Sequence, residues 1–257
     1  MAPDKGSGSK TAGNISQLFA SIQGEGPWCG VRQVFIRMWG CNLNCSCCDT
    51  PGHGDVPGTF TLWPVHGSPV NHPNGVSPGH LARLILPLLS VPCHSISLTG
   101  GEPLLQADFL GEFIQALPGD APGIYLETNG TLASQLEKIL DGVKYIAADI
   151  KLPWVLGGGN LWREHHDFLW KARRGDARLF VKAVVSGETA HEEIRTGAKL
   201  IAGVDLKIPL IIQPMTNSDG SVSTDGEKLM ELQGVALEVL EDVRIIPQTH
   251  RFIKNLR

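Results

Sequence analysis

The stretch WGCNLNCSCCDTPG, residues 39–52, contains four of the six cysteines of the chain. Cys41, Cys45 and Cys48 follow the spacing C-x3-C-x2-C, which lets one tight loop bring three thiolates to a single inorganic centre. A structural zinc site normally has four ligands, often two C-x2-C pairs, and the sequence contains no second pair. An iron-sulfur cluster held by three cysteines leaves one iron open to a substrate or cofactor. The spacing therefore favours a catalytic iron-sulfur cluster.

A zinc knuckle is the alternative that the cysteine spacing leaves open. Cys47, or a histidine such as His53, would then supply the fourth ligand. The two remaining cysteines, Cys29 and Cys93, stand apart in the sequence, and we interpret them as small, buried apolar residues rather than ligands.

Composition and charge narrow the class of protein. The chain has 257 residues, of which 42% are hydrophobic, and this favours one compact α/β domain. A net charge of −4 argues against a nucleic-acid partner. The sequence has no apolar run of about 18 residues and no secretory signal at its start, so we expect no membrane partner and a cytoplasmic location. In that reducing compartment, clustered cysteines are typical of metal or redox sites rather than of disulfides.

The chain divides into a tail, one domain and an insertion. Residues 1–13 are rich in Gly, Ser and Lys and are predicted to be a disordered tail, and residues 14–257 form a single domain. RQVFIRM, residues 32–38, alternates apolar and polar side chains and is predicted to be the first strand, which leads into the cysteine loop. Residues 51–76 are crowded with Pro and Gly and are predicted to form a long excursion with a short hairpin.

Apolar segments of strand length then alternate with amphipathic segments of helical length. Strands are predicted at 95–98, 124–128, 145–150, 179–185, 208–212 and 243–248, and helices at 107–117, 166–174 and 226–240. This alternation predicts right-handed βα units and a mostly parallel sheet, whose chemistry lies at the carboxyl ends of the strands. Three polar motifs, TGGEP, TNG and KLP, do follow predicted strands.

The cysteine triad, with TGGEP downstream, resembles the radical S-adenosylmethionine (SAM) superfamily. The resemblance implies a partial, open parallel β/α barrel, a [4Fe-4S] cluster on Cys41, Cys45 and Cys48, and SAM on the open iron. It also implies that Gly100, Gly101 and Glu102 contact the methionine end of SAM, since glycines allow close backbone approach and a carboxylate suits an ammonium. Superfamily members commonly have an aromatic residue where this chain has Cys47, so an exchange of Cys47 for Cys48 as ligand stays open.

Five stretches together resemble the 7-carboxy-7-deazaguanine synthase family, in the order of that family. They are LFASIQGEGPWCG (18–30), FIRMWGCNLNC (35–45), CDT (48–50), LETNGT (126–131) and VRIIPQTHRF (243–252). The resemblance covers residues 15–256 apart from the insertion at 51–76. It implies conversion of 6-carboxy-5,6,7,8-tetrahydropterin into 7-carboxy-7-deazaguanine, with ring contraction and loss of ammonia, on the way to deazapurines such as queuosine.

The resemblance also implies roles for side chains around the pterin. Glu25 would accept paired hydrogen bonds from the guanine-like edge of the ring, and Arg37 would pair with the substrate carboxylate. His250 would hydrogen-bond to the substrate or transfer a proton. Gln23 and Thr99 are further catalytic candidates. Thr50 would help to hold a Mg2+ ion that polarises the substrate.

The remaining cofactor contacts are expected at the ends of later strands: Glu127, Asn129, Lys151, Gln213 and Pro214. Three of the candidate site residues also have a simpler interpretation without a functional role. Lys151 could be a solvated charge at a strand end, Asn129 could belong to an ordinary turn, and Glu25 could pair with Arg37 as a structural ion pair. His165 and His166 are adjacent on a predicted helix and are interpreted as surface residues.

The resemblance further implies a flavodoxin or ferredoxin as electron donor and a homodimer. Trp154, Trp162 and Trp170 recur every eight residues, which indicates a packing face that a second subunit could cover. The nearest enzymatic alternative is a glycyl-radical-enzyme activase, which shares the triad and TGGEP but lacks QGEG, CDT and PQTH. A non-catalytic electron-transfer or zinc protein would not need so long a βα series.

Overall fold

A computed structural model describes residues 11–48 and 53–253 of the chain. Residues 1–10 of the expected tail and the expected magnesium ligand Thr50 lie outside these ranges. Gly13, the last residue of that tail, exchanges two backbone hydrogen bonds with Val76 and so belongs to the folded part. Within the described ranges, no helix is long and apolar enough to cross a membrane.

One sheet of ten strands dominates the described residues. Its strands are β1 (Ile15–Ile22), β2 (Arg32–Met38), β3 (Thr59–Leu62), β4 (Val70–Pro73), β5 (Ser95–Gly100), β6 (Gly123–Thr128), β7 (Val143–Ile150), β8 (Arg178–Val185), β9 (Leu210–Pro214) and β10 (Val243–Ile245). Their order is β10-β9-β8-β7-β6-β5-β2-β1-β3-β4, and the neighbours from β2 to β10 are parallel. The sheet does not close, which confirms the expected open α/β architecture.

Helices follow most of the parallel strands and cover one face of the sheet. They are α1 (Pro78–Ile85), α2 (Ala107–Gln115), α3 (Ala133–Leu136), α4 (Trp162–Ala172), α5 (His191–Val204) and α6 (Gly226–Leu237). Two begin at side-chain caps: Ser77 accepts from the backbone N–H of His80, and Asp225 accepts from that of Lys228. The predicted helices correspond to α2, α4 and α6, although α4 begins at Trp162 rather than at residue 166.

The prediction that residues 32–38 form the first strand is wrong, because β1 precedes them. β1 runs antiparallel to β2, and a register shift between Ile15 and Gln17 interrupts its pairing. Such an irregularity breaks the alternation of apolar and polar residues that identifies a strand in sequence. β2 therefore lies inside the sheet, between β1 and β5, and its carboxyl end opens into the interior of the barrel.

The predicted hairpin within the Pro/Gly-rich insertion is confirmed. β3 and β4 form an antiparallel pair, and β3 adds to β1 as a parallel neighbour. Phe60 of β3 is buried in the core, and Asn74 ties the hairpin to β1 by bonding both the N–H and the carbonyl of Ile15. The insertion thus extends the sheet at the edge away from the later strands.

Alternate residues of the central strands fill two separate cores. Leu126, Ile146 and Val181 face the helices and belong to the main hydrophobic core. Tyr125, Tyr145 and Phe180 face the opposite, concave side and form a second cluster, against which Trp28 packs. Because side chains alternate along a strand, the residues two positions further on also face the concave side, nearer the carboxyl ends.

Helix α4 allows a test of the main core. Phe168 is fully buried, whereas Trp170 on the same helix is 54% exposed. We expect Phe168→Ala to lower the free energy of unfolding by about 3–5 kcal/mol, because it removes a buried ring and leaves a cavity. Arg163→Ala, whose side chain on the same helix is 91% exposed, should change it by less than about 1 kcal/mol. Urea unfolding followed by circular dichroism measures both, and equal effects would contradict this packing of α4.

Candidate active site

A cavity of about 570 Å³ opens at the carboxyl ends of the parallel strands. It brings together most of the side chains that the sequence singled out, from segments far apart in the chain. These are Gln23, Glu25, Arg37, Cys41, Cys45, Cys48, Thr99, Gly100, Gly101, Glu127, Asn129, Lys151, Gln213 and His250. Glu102 and Pro214 were also expected here, but they do not line the cavity.

The cysteine loop follows β2 and forms part of the cavity wall. Cys41, Cys45, Cys47 and Cys48 all line the cavity, and all four are thiols rather than disulfides. Among the described residues, no three His, Cys, Asp or Glu side chains stand close enough to form a ready-made metal site. The loop is nevertheless held in place, since its Ser46 N–H donates to the carbonyl of Val155 at 3.1 Å.

Partial burial affects how readily these thiols ionise. Desolvation raises the pKa of Cys41 and of Cys45, and raises that of Cys47 to about 11, although nearby Lys151 opposes it at Cys45 and Cys47. Thiolates are the ligands of iron-sulfur clusters and of zinc, so cluster binding must release protons from these groups. A set of sulfur donors on one cavity wall fits a [4Fe-4S] cluster.

The glycines of TGGEP let this turn lie directly against the cysteine loop. Gly100 has a φ of +115°, in the region that favours glycine. A Cβ at Gly101 would lie only 2.0 Å from the carbonyl oxygen of Gly40. The backbone of this turn therefore forms cavity wall where any side chain would collide with the cysteine loop.

Glu102 differs from its expected role, because its carboxylate points into the protein. It is fully buried and accepts from the backbone N–H groups of Leu104 and Asn129 and from the hydroxyl of Thr128. Burial raises its pKa to about 7, although these hydrogen bonds oppose the shift. Glu102 thus links the turn after β5 to the end of β6 and makes no contact with the cavity.

Asn129 joins the end of β6 to the cysteine loop. It is buried, and its side-chain amide donates to the side chain of Asn42 at 2.8 Å and lies 3.9 Å from the sulfur of Cys41. The alternative of an ordinary turn residue does not account for these contacts. Gly130 does have the positive φ, +64°, that the turn requires.

A chain of alternating charges crosses the concave face. Lys151 pairs with Asp149 at 3.0 Å, Asp149 with Lys182 at 3.1 Å, and Lys182 with Glu25 at 2.5 Å. All four side chains are less than a fifth exposed. The alternative of a solvated Lys151 is therefore wrong, and so is that of a Glu25–Arg37 ion pair, because the partner of Glu25 is Lys182.

Mutual attraction holds this network in its charged form. Burial alone would raise the pKa of Glu25, but Lys182 and a hydrogen bond from Gln248 outweigh it and lower the pKa to about 2. The pKa of Asp149 is likewise lowered against the effect of burial by its two lysines. Asp149, Lys151 and Lys182 all face the concave side of the sheet. Removing any one of these side chains would leave an opposite charge there without its partner.

Arg37 is held by an aromatic stack and retains hydrogen-bonding capacity. Phe19 and Phe35 stack with centroids 5.2 Å apart, and the guanidinium of Arg37 lies 5.7 Å from the centroid of Phe19. Its Nε has no hydrogen-bond partner within the described part of the chain. A buried donor without a partner suits an anionic ligand group in the cavity.

Glu127 is fixed by three donors on the concave face. Gln23, Ser97 and Thr99 donate to its carboxylate at 2.9, 3.0 and 2.8 Å. Gln23 and Thr99, expected as catalytic candidates, therefore also orient Glu127. The next strand end contributes Gln213, which is 2% exposed and whose Oε1 has no partner in the described ranges.

The last segment of the chain brings His250 to the cavity. Thr249 donates its N–H to the carbonyl of Gly24 at 2.9 Å, so this segment lies against the loop that contains Glu25. A Cβ on Gly24 would lie 2.2 Å from Nδ1 of His250, which requires glycine at that position. After β9, Met215 and Thr216 line the cavity where Pro214 was expected to do so.

His165 was interpreted as a surface residue, and that interpretation is wrong. His165 is fully buried, and its ring joins two strand-end loops: Nδ1 donates to the carbonyl of Gly130, and Nε2 accepts from the N–H of Lys151, both at 3.0 Å. Desolvation lowers its pKa to about 4, so the ring is neutral at neutral pH. His166 is exposed, as expected.

The remaining cysteines and His53 stay outside the site. Cys29 and Cys93 are only half-buried, so neither is the fully buried residue that was expected. The sulfur of Cys29 lies 2.9 Å from the hydroxyl of Thr249. His53 is exposed and does not line the cavity, which removes the basis for a zinc knuckle completed by this residue.

Several residues of the site have no motif in the sequence. Asp149 and Lys182 line the cavity, and Ser97 and His165 support it from behind. Asp149 and Lys182 occupy every second position after inward-facing Ala147 and Phe180, so strand periodicity was the signal that could have found them. His165 carried no comparable signal, because its partners are backbone groups.

Comparison with known proteins agrees with this arrangement. Residues 36–153 match the model of the Radical SAM superfamily. The chain is 41% identical to a 7-carboxy-7-deazaguanine synthase of Geobacter sulfurreducens, over 96% of this chain and 100% of that one. It is 34% identical to a synthase of the same name from Methanothermobacter thermautotrophicus, over 92% and 95% of the two chains.

Solved structures share the fold. The crystal structure of QueE from Escherichia coli superposes with a TM-score of 0.61 at 21% identity, and covers 93% of this chain and 95% of that one. A radical SAM methyltransferase from Sphaerobacter thermophilus gives a TM-score of 0.60 at 13% identity, over 88% and 69% of the two chains. These likenesses confirm the radical SAM architecture.

The buried histidine provides a test of how the two strand-end loops are held. At pH 7 we expect His165→Ala to lower the free energy of unfolding by about 2–4 kcal/mol, because it leaves a cavity and two unpaired backbone groups. His166→Ala, the exposed neighbour, should change it by less than about 0.5 kcal/mol. Urea unfolding at pH 7 measures both variants against the wild type.

The same pair of variants has an expected pH dependence. The folded pKa of His165, about 4, lies below the ordinary value of 6.5, so only the unfolded wild type gains this proton as the pH falls between these values. Between these pH values, protonation of this imidazole in the unfolded state lowers the free energy of unfolding of the wild type by about 1.4 kcal/mol per pH unit. His165→Ala has no imidazole at this position and lacks this contribution. The cost of His165→Ala should therefore shrink by about 3 kcal/mol from pH 6.5 to pH 4. A constant cost would contradict a neutral, buried His165.

Proposed function

Because the chain belongs to the 7-carboxy-7-deazaguanine synthase family of radical SAM enzymes, we propose that it converts 6-carboxy-5,6,7,8-tetrahydropterin into 7-carboxy-7-deazaguanine, with loss of ammonia, in this cavity. The observation that carries the proposal is the set of side chains that line this cavity. It is lined by sulfur donors, by a buried carboxylate and by an arginine whose Nε has no partner among the described residues. Its volume of about 570 Å³ is typical of a small-molecule site.

The cluster and SAM supply the radical chemistry when they are bound, and the protein positions them. Cys41, Cys45 and Cys48 would hold the cluster. Gly100 and Gly101 would offer backbone groups to the methionine end of SAM, as their lack of side chains allows. The support for Cys48 over Cys47 is the spacing C-x3-C-x2-C that Cys41, Cys45 and Cys48 share with the superfamily.

Residues at later strand ends would complete the SAM site. Asn129, Lys151 and Gln213 line the cavity, and the buried Oε1 of Gln213 has no partner in the part of the chain that the structure describes. Glu102 and Pro214 would act from behind, since neither reaches the cavity. Glu127 lies deeper and is oriented by its three donors.

The pterin would bind by its two polar ends. Glu25 is held ionised and can accept from the N–H groups of the guanine-like edge. Arg37 can donate to the substrate carboxylate through the N–H groups of its planar guanidinium. Its Nε has no hydrogen-bond partner among the described residues. His250 lies beside the Glu25 loop and could move a proton to or from the ring during loss of ammonia.

Mg2+, the partners and the location are further parts of the proposal. We propose that Thr50, together with substrate oxygens, holds a Mg2+ ion, as suits a hard cation with few protein ligands. We also propose that a flavodoxin or ferredoxin supplies electrons and that the chain acts as a cytoplasmic homodimer. Support for a subunit contact comes from Trp170, a large apolar side chain that is 54% exposed.

The first experiment is anaerobic turnover with reconstituted cluster, SAM, a reductant, Mg2+ and 6-carboxytetrahydropterin, read by mass spectrometry. We expect 7-carboxy-7-deazaguanine from the wild type and a loss of more than about a hundredfold in Cys45→Ala, because a cluster ligand is missing. Cys47→Ala is the matched control on the same loop and should retain most of the activity. Loss in Cys47→Ala with retention in Cys48→Ala would reverse the ligand assignment.

The same assay separates the proposed function from its rivals. Deoxyadenosine without deazaguanine would retain the SAM assignment and overturn the pterin substrate. If SAM is not cleaved at all by a protein that holds iron and sulfide, an electron carrier becomes the better description. Neither outcome is expected of a member of this family.

The magnesium proposal predicts a metal requirement that depends on one hydroxyl. Enzyme stripped with a chelator should regain turnover as Mg2+ is added. Thr50→Ala should need at least about tenfold more Mg2+ for half-maximal rate, because it loses a ligand. Thr50→Ser keeps the hydroxyl and should behave like the wild type. A rate independent of Mg2+ in the stripped enzyme would refute the proposal.

A further inference from the structure

Lys182 is a charged residue of the cavity that the proposed function leaves without a role. It lies on β8, two positions after Phe180, and its side chain is 14% exposed. Its ammonium stands between two carboxylates, at 2.5 Å from Oε2 of Glu25 and 3.1 Å from Oδ2 of Asp149. It also lines the cavity.

The hydrogen-bonding capacity of Lys182 exceeds what these two carboxylates use. An ammonium has three N–H donors, and two of them are directed to Glu25 and Asp149. As far as the described residues go, one donor therefore remains for a group in the cavity, which Lys182 lines. Glu25 likewise retains capacity, because within the described ranges each of its oxygens has one protein donor, Lys182 or Gln248, and a carboxylate oxygen can accept two hydrogen bonds.

The polar groups of Glu25 and Lys182 lie side by side, since Nζ of Lys182 is 2.5 Å from Oε2 of Glu25 and both side chains line the cavity. Together they present acceptor sites next to a donor site on one wall of the cavity. The pyrimidinone edge of a pterin has the complementary order: an amino group and a ring N–H, which donate, followed by a carbonyl oxygen, which accepts. The ring N–H and the carbonyl oxygen are adjacent in the pterin, as the carboxylate and the ammonium are in the protein.

A purely structural role explains these contacts less well. Buried ion pairs contribute little net stability, because desolvation offsets the attraction between the charges. Here four such groups form a row that faces the cavity rather than the core, and Oδ1 of Asp149 has no partner among the described residues. Tyr125 and Phe180, both buried, also line the cavity and offer flat apolar surface beside the row. This is a surface built for a flat, polar-edged ring.

We propose that Lys182 is a specificity-determining residue, whose ammonium donates to the carbonyl oxygen of the pyrimidinone edge while Glu25 accepts from the neighbouring N–H groups. Asp149 is then a positioning residue that holds the ammonium between the two carboxylates. The inference rests on the proposed function, because it assumes that a pterin occupies this cavity.

A pair of ligands tests the inference on the wild-type protein. The probes are 6-carboxypterin and its 4-thio counterpart, in which sulfur, a weaker acceptor, replaces the carbonyl oxygen while the ring N–H and amino group remain. Binding is followed by pterin absorbance and fluorescence in cluster-loaded enzyme with SAM. We expect the oxo ligand to bind at least about tenfold more tightly, as for loss of a hydrogen bond from a charged donor.

Variants then assign that preference to Lys182. Lys182→Met keeps the length of the side chain and removes its donors, so the preference for oxygen over sulfur should fall to about twofold or less. Lys182→Arg retains a charged donor and should keep more of the preference than Lys182→Met. Arg178→Gln, at the exposed start of the same strand, is the matched control and should keep the full preference.

The ratio of the two affinities separates recognition from a structural effect. If Lys182 only supported Glu25, Lys182→Met would weaken both ligands equally and leave the ratio unchanged, and this would overturn the inference. Equal binding of both ligands by the wild type would also overturn it, even if Lys182→Met does not fold. Failure of the proposed function gives a different result: the wild type then binds neither probe and forms no deazaguanine.

Discussion

The central strands of the sheet are buried on both faces, and this constraint organises the site. Residues on one face must pack against helices, so they are uniformly apolar, as in Leu126, Ile146 and Val181. Residues on the concave face change in character along the strand. Aromatic side chains such as Tyr125 and Phe180 fill its deeper part, and polar residues follow two positions later. The step of two residues in a strand thus sets the depth at which the cavity begins.

Charge balance is the second requirement of this concave face. Glu25, Lys182, Asp149 and Lys151 alternate in sign, so that each charge has an opposite neighbour about 2.5–3.1 Å away. An isolated charge at this depth would be neutralised by a change in pKa. The alternation instead lowers the pKa of both carboxylates and raises that of both lysines. A fully ionised polar wall is thereby available to a ligand without any reorganisation of protons.

The sequence predicted the parts of the site that depend on spacing and on strand order. The C-x3-C-x2-C loop and the placement of motifs after strands followed from local patterns, and the role of the TGGEP glycines followed from the family resemblance. Contacts between distant segments could not be predicted in this way. Glu25 and Lys182 are 157 residues apart, and only the fold shows that they are partners. The prediction missed β1 because its register shift hides its periodicity. It missed the burial of His165 because the hydrogen-bond partners of that ring are backbone groups.

Contacts between loops explain why several conspicuous residues do not face the cavity. The backbone N–H of Glu102 donates to the carbonyl of Gly40 at 2.7 Å, while its carboxylate accepts from Asn129. From there the connection continues through Gly130 and His165 to Lys151. The loops after β2, β5, β6 and β7 are therefore joined by buried hydrogen bonds. Any one of these loops alone would be free to move, since loop backbone has few partners of its own. Joined in this way, they hold the cysteine loop and the charged wall in one fixed relation, which is what a reaction confined to a single cavity requires.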